Sequence, residues 1–204
     1  MLNFGRDNTT NSSSLAGTIN LSKGERVSLT KDNPNLDQIH VGLGWDVNSF
    51  GGNDFDLDVS VFMTGANGKV TNPKNFIFFN NLKSPCGSVQ HTGDNLTGAG
   101  DGDDESLKVS LAKVPADVEK LVFTVSIYQA KARRQNFGQV SNAFIRIVDE
   151  KSGREILRYD LAEDFSLHCS VVVGELYRHN QEWKFNAIGN GIPDEIDGLV
   201  NMYM

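Results

Sequence analysis

Cysteine is scarce. Cys86 and Cys169 are the two in 204 residues, too few for a disulfide framework, and neither stands in a C-x-x-C pair or in a Cys/His cluster with zinc spacing. Both read as ordinary reduced thiols. Long apolar runs are missing too: nothing approaches the roughly 18 apolar residues that a membrane-spanning helix needs, and MLNFGRDNTTNSSS lacks the apolar core of a signal peptide. The expectation is a cytoplasmic protein with no transmembrane segment. Bases are outnumbered, 19 against 26 acids for a net charge of -7, and no basic stripe offsets the deficit. That balance disfavours nucleic acid, whose phosphates select cationic surfaces.

The shortage of bases is local. Between Lys31 and Lys69 lie 37 residues with no Lys or Arg and six acids, Asp32, Asp37, Asp46, Asp54, Asp56 and Asp58. Between Lys83 and Lys108 lie 24 more with no base and five acids, Asp94, Asp101, Asp103, Asp104 and Glu105. Outside these segments 15 acids face 19 bases, so all of the net negative charge belongs to them. Like charges this close repel in any compact state, and something must offset the cost.

The remaining pattern is that of an all-β protein, an antiparallel β-sandwich with one or two short helices. Short alternating or β-branched runs recur, among them 39–45, 57–63, 76–79, 107–111, 121–128, 144–148, 156–159, 171–177 and 183–188. The turns between them carry Gly, Asn, Asp or Pro, as in Ala66-Asn-Gly-Lys, Lys151-Ser-Gly-Arg and His179-Asn-Gln-Glu. Asn20-Leu-Ser-Lys and Arg26-Val-Ser-Leu-Thr read as a hairpin about Lys23-Gly-Glu. Residues 130–137 and 194–202 suit short helices. The expected organisation is a disordered leader over 1–17, one domain over 18–191 and a short tail over 192–204.

In Asp56-Leu-Asp-Val-Ser-Val-Phe the faces alternate: Leu57, Val59 and Val61 turn to the core, and Asp56, Asp58 and Ser60 share the other side. Two carboxylates about 6.5 Å apart can take a hard cation between them. The second acidic segment is a loop with glycines at 93, 98, 100 and 102, which permit tight curvature and inward carbonyls. Flexible loops with oxygen-only donors suit Ca²⁺, and if the segments meet they supply enough carboxylates for about two ions. No EF-hand accounts for this: its required glycine falls on Val59 when the motif starts at Asp54 and on Ser106 when it starts at Asp101. A solvated connector is the plain alternative, and Asp-Leu-Asp opening an otherwise apolar strand argues against it.

Other chemistry is weaker. Paired carboxylates suit general acid/base work, but no nucleophile stands beside a base, so no enzyme is expected. His91 abuts the acidic loop, yet imidazole is a poor partner for Ca²⁺. Gly98-Ala-Gly-Asp-Gly lacks the lysine of a phosphate-binding loop. Lys131, Arg133 and Arg134 form the compact basic cluster and read as an exposed helical face.

Several motifs occurring in order, Gly42-Leu-Gly-Trp-Asp, Asp54-Phe-Asp-Leu-Asp, Phe78-Phe-Asn-Asn-Leu, Val89-Gln-His-Thr-Gly-Asp-Asn, Gly100-Asp-Gly-Asp-Asp-Glu, Ala132-Arg-Arg-Gln-Asn-Phe-Gly-Gln-Val and Gly174-Glu-Leu-Tyr-Arg-His-Asn-Gln-Glu-Trp-Lys-Phe, resemble those of the bacterial TerD family of tellurium-resistance and stress proteins. The resemblance runs from about residue 18 to 190. It implies a β-sandwich that binds two calcium ions at one end, in a cytosolic protein of tellurite, chemical and phage-related stress. The family's calcium motif falls on Asp56, Asp58, Asn80, Asn81, Asp94, Asp101, Asp103, Asp104 and Glu105. It also implies partners within a stress complex that assembles near the inner face of the membrane. The expected function is that of a calcium sensor or scaffold. A calcium-dependent carbohydrate- or lipid-binding module is the alternative, with Phe50 and Phe55 as its candidate contacts.

Overall fold

A computed structural model describes residues 17–46, 55–93, 102–161 and 165–204. The leader expected over 1–17 lies almost wholly outside them, as do Phe50, Asp54, Asp94 and Asp101. Among the described residues, twelve strands form two six-stranded sheets. In chain order they are β1 (Ile19–Asn20), β2 (Arg26–Ser28), β3 (Gln38–Gly44), β4 (Leu57–Thr64), β5 (Phe76–Ile77), β6 (Val89–His91), β7 (Glu105–Ser110), β8 (Lys120–Ile127), β9 (Phe144–Asp149), β10 (Glu155–Asp160), β11 (Ser170–His179) and β12 (Glu182–Ile192). Among the described residues there are two α-helices, α1 (Ala130–Arg133) and α2 (Ile196–Tyr203). The first sheet runs β1-β10-β9-β3-β7-β6 and the second β2-β12-β11-β8-β4-β5.

Alternation drives the two sheets together. Ile39, Val41 and Leu43 of β3, Leu107 and Val109 of β7, and Ile145 and Ile147 of β9 turn one face inward. They meet Leu57, Val59, Val61 and Met63 of β4 and Leu121, Phe123, Val125 and Ile127 of β8 in one buried core. Hairpins close as their turn residues dictate: Asn180 and Gln181 take left-handed conformations between β11 and β12, and Gly153 does so between β9 and β10.

The structure departs from the sequence reading at the beginning of the described chain and at its end. The runs at 20–23 and 26–30 do not form a hairpin. β1 pairs in parallel with β10, while β2 pairs with β12 of the opposite sheet. The connection crosses between sheets, held where Gly24 N–H donates to the Ala187 carbonyl and Ala187 N–H to the Glu25 carbonyl. β6 was not anticipated; three residues are too few to show a period. The segment read as a short tail with a helix over 194–202 holds α2, and it is packed: β12 runs on to Ile192 and α2 seats Leu199 on the outer face of the second sheet against Phe62, Phe76, Val122 and Val172.

Candidate metal centre

One end of the sandwich gathers the acidic segments. β4 begins there, and β8, antiparallel to it with Leu57 opposite Ile127, ends there and leads into α1. β5 pairs with β4 only at Val61 and Phe62, and its antiparallel direction carries the chain after Ile77 toward the start of β4. β6 pairs with β7 through His91 and Leu107, and Thr92 N–H donates to the Ser106 carbonyl. The beginning of β7 therefore belongs to the same end.

The link between the sheets is direct. β5 stops short of Val59, and the Val59 N–H is taken by Glu105 Oε2 at 2.7 Å. The side chain of Glu105, from the other sheet, thus fills a place a longer β5 would occupy. Glu105 is 2 % exposed and Asp56 and Asp58 are each 4 % exposed. Burying carboxylates is costly unless cations or donors meet them. Arg133 Nη1 stands 3.5 Å from Asp56 Oδ2. His91 Nε2 stands 3.7 Å from Glu105 Oε2, with both side chains fully buried. Its Nδ1 accepts the Gly93 N–H at 3.2 Å, so the neutral ring carries its proton on Nε2.

Asp104 sits beside them. Its N–H donates to the Leu43 carbonyl and its Oδ2 accepts the Trp45 N–H at 2.9 Å. Burial raises the Asp104 carboxyl above the usual carboxylate value; the Trp45 hydrogen bond opposes this, and the charges of Asp103 and Asp46 add to it. A nearby cation would relieve that repulsion.

Asp103 has a different setting. β7 starts only at Glu105, so Asp103 does not continue its alternation and instead lies on the outer face of the first sheet, over Gly42. There Arg146 holds both of its oxygens, Nε to Oδ1 at 2.7 Å and Nη2 to Oδ2 at 3.1 Å, and His40 Nε2 lies 2.8 Å from Oδ2. Burial pushes the Asp103 carboxyl up, but the hydrogen bonds and charge of His40 and Arg146 outweigh it and hold the group below the usual value. Any side chain at position 42 would collide with it, its Cβ falling 2.1 Å from the carboxylate. The anchor fixes the residue preceding Asp104 and Glu105.

The asparagines lie in the turn after β5, bridged by Phe78 and Asn81. Asn81 Nδ2 donates to the carbonyls of Phe76, at 2.5 Å, and Lys74, at 3.1 Å, while Asn80 is exposed. Asp94 and Asp101 lie outside the described residues. Among the described residues, no three His, Cys, Asp or Glu side chains are arranged to hold a single ion. Asp56 and Asp58 at the start of β4, and Asp104 and Glu105 at the start of β7, carry hard oxygens, the donor type Ca²⁺ selects.

Sequence reasoning missed Arg133 as a neighbour of Asp56. It was read as part of an exposed basic face, and nothing in the local pattern of α1 points to a strand some 75 residues away. Phe55, a candidate docking aromatic, is buried at 6 % exposure and its carbonyl accepts the Trp45 Nε1–H at 3.2 Å.

A two-sheet β-sandwich with a carboxylate-rich end is the class of protein that fold and site define. A sequence model of the TerD domain matches residues 18–203. The chain belongs to the TerD family. General stress protein 16U of Bacillus subtilis is 60 % identical over 175 residues, covering 85 % of this chain and 91 % of that one. Tellurium resistance protein TerD of Alcaligenes sp is 58 % identical over 186 residues, covering 91 % and 97 %. The crystal structure of a Streptomyces coelicolor homologue of telluride resistance protein (TerD) shares the fold, with a TM-score of 0.66 at 20 % identity over 79 % of this chain and 93 % of that one.

Proposed function

We propose that this chain is a non-enzymatic, calcium-binding stress-response protein that serves tellurite or chemical resistance as a sensor or scaffold. The observation that carries the reading is the burial of Asp56, Asp58 and Glu105, at 4 %, 4 % and 2 % exposure, at the starts of β4 and β7. Carboxylates in so little water interact strongly with positive charge brought beside them, and their donors are the hard oxygens Ca²⁺ prefers. A bound divalent ion would supply that charge. Asp58 and Asp56 would present oxygens from one strand face, and Asp104 and Glu105 from the start of the other sheet. The Asp103 anchor would keep the latter pair in place, and Asn80, Asn81, Asp94 and Asp101 are the candidates for the rest of the shell.

A scaffold rather than a catalyst is favoured because the His91–Glu105 pair has both side chains at 0 % exposure and is closed to substrate, and in the His40–Asp103 pair Arg146 already holds both carboxylate oxygens. The names of the relatives, general stress protein and tellurium resistance protein, support the stress role. Calorimetric titration of metal-stripped protein with Ca²⁺ and with Mg²⁺, repeated on Asp58→Asn and Asp104→Asn, tests the reading. Saturable Ca²⁺ heat that either substitution weakens by tenfold or more is expected. Equal, feeble heats for both metals, unchanged in the variants, would refute it.

A further inference from the structure

We infer that Arg133 is a resident countercharge that competes with the metal ion for Asp56, so that it sets the affinity of the site and leaves Asp56 when the site fills. The inference rests on the calcium reading above and deepens it. Arg133 Nη1 lies 3.5 Å from Asp56 Oδ2; the Asp56 side chain is 6 % exposed and that of Arg133 is 25 % exposed. The acid is therefore inside and the guanidinium closes over it from the rim. A carboxylate so placed carries its countercharge with it when no ion is bound. A divalent ion arriving at Asp56 meets a positive group already there, and the two repel.

The surroundings allow the guanidinium to move. α1 is a single turn bounded on both sides by residues in the left-handed region, Gln129 at φ 53° and Arg134 at φ 55°. Non-glycine residues adopt that region rarely and keep it only where surrounding contacts enforce it, so the conformation of α1 depends on those contacts. The backbone under Asp56 is held independently, since Tyr128 N–H donates to the Asp56 carbonyl at 2.8 Å. The Arg133 guanidinium also lies over the Tyr128 ring, 5.3 Å from its centroid, and that ring is 40 % exposed. A guanidinium leaving Asp56 thus retains a cation–π partner at the surface. The other end of α1 stays moored, with Lys131 Nζ on Asp194 at 2.8 Å and Lys131 N–H on Glu195 Oε1 at 2.7 Å.

Calorimetric Ca²⁺ titration of metal-stripped wild type, Arg133→Gln and Arg133→Lys provides the test, joined to the NMR signal of the Arg133 side-chain Nε–H in wild type. Arg133→Gln is expected to bind Ca²⁺ about tenfold more tightly, the lower end of what an opposite charge within about 4–6 Å does to a carboxylate. Arg133→Lys, which keeps the charge, is expected near wild type. In wild type the Nε–H, assigned by its loss in Arg133→Lys, is expected to exchange faster with water once Ca²⁺ is added. Unchanged or weaker Ca²⁺ binding by Arg133→Gln, or an Nε–H that Ca²⁺ protects, would overturn the inference while leaving the ion site standing. Absence of Ca²⁺ heat from all three proteins would overturn the ion site, and the inference with it.

Discussion

Glu105 does two jobs that one pair of substitutions can separate. Its Oε2 accepts the buried Val59 N–H at 2.7 Å and joins the two sheets, and its charge is one of those proposed to meet the ion. Glu105→Ala removes both. It forfeits a charge-assisted hydrogen bond, leaves the Val59 N–H unsatisfied and opens a small void, for a cost of about 2–4 kcal/mol. For a chain of this size that is roughly 5–15 °C in melting temperature. Glu105→Gln retains an acceptor of the same shape while removing the charge, so the metal-free protein is expected within about 1 kcal/mol of wild type. The two differ from wild type in another way once Ca²⁺ is added. At 100 times the dissociation constant a ligand stabilises by about 2.7 kcal/mol, roughly 5–11 °C here. Wild type should show that rise and Glu105→Gln should lose most of it. Thermal melts followed by circular dichroism, with chelator and with excess Ca²⁺, read all three proteins. A full Ca²⁺ shift in Glu105→Gln would remove Glu105 from the site. A Glu105→Ala protein that melts like wild type in chelator would show that the bond to Val59 does not join the sheets in the way argued.

Other outcomes follow from the Asp103 anchor and from α2. Because His40 and Arg146 hold the Asp103 carboxyl below its ordinary value of 3.8, its contribution is present above that value and is lost as pH falls through the depressed folded value. Asp103→Asn should therefore be about 1–3 kcal/mol less stable than wild type at pH 7, a gap that narrows below pH about 4; urea melts across that range check it. Gly42→Ala drives a methyl to 2.1 Å from the same carboxylate and should cost about 1–3 kcal/mol, most of it relieved in the double variant with Asp103→Ala. Leu199, fully buried against the second sheet, should cost about 2–5 kcal/mol on truncation to Ala, and a neutral result would mean that α2 does not close that face. Burial pushes the Tyr203 phenol up to about 12, so stability should fall as pH rises from about 10 toward that value, and Tyr203→Phe should abolish that part of the alkaline loss.

What the sequence showed and what it hid divide along a physical line. The long strands were legible because each writes its burial as a period of two: Leu57, Val59, Val61 and Met63 face the core in the structure as the alternation requires. The hairpin turns at 153 and 180–181 were legible because the backbone there must enter the left-handed region, which Gly and Asn tolerate. β1 and β2 were misjoined because two and three residues carry no register. Only contact with β10 and β12 tells them apart. α2 was undervalued because its partner surface, Phe62 with Phe76, Val122 and Val172, is assembled from four separate strands.

The acidic loop shows why composition alone could not assign roles within it. Asp103, Asp104 and Glu105 are adjacent and chemically alike, and by charge count they are one group. Their fates are set by the place where β7 begins. From Glu105 onward the strand alternates and sends that side chain inward to Val59. At Asp103 the ladder has not started, and the same kind of side chain falls outward into the slot that Gly42 leaves open. Its partners are the Arg146 guanidinium, 43 residues further on, and His40, 63 residues back, so no local window could reveal them. The countercharge that the sequence lacked near its acids is thus supplied by tertiary structure for Asp103 and, through Arg133, in part for Asp56. The calcium proposal has therefore to be judged on the buried oxygens of Asp56, Asp58 and Glu105 rather than on the total charge of the loop.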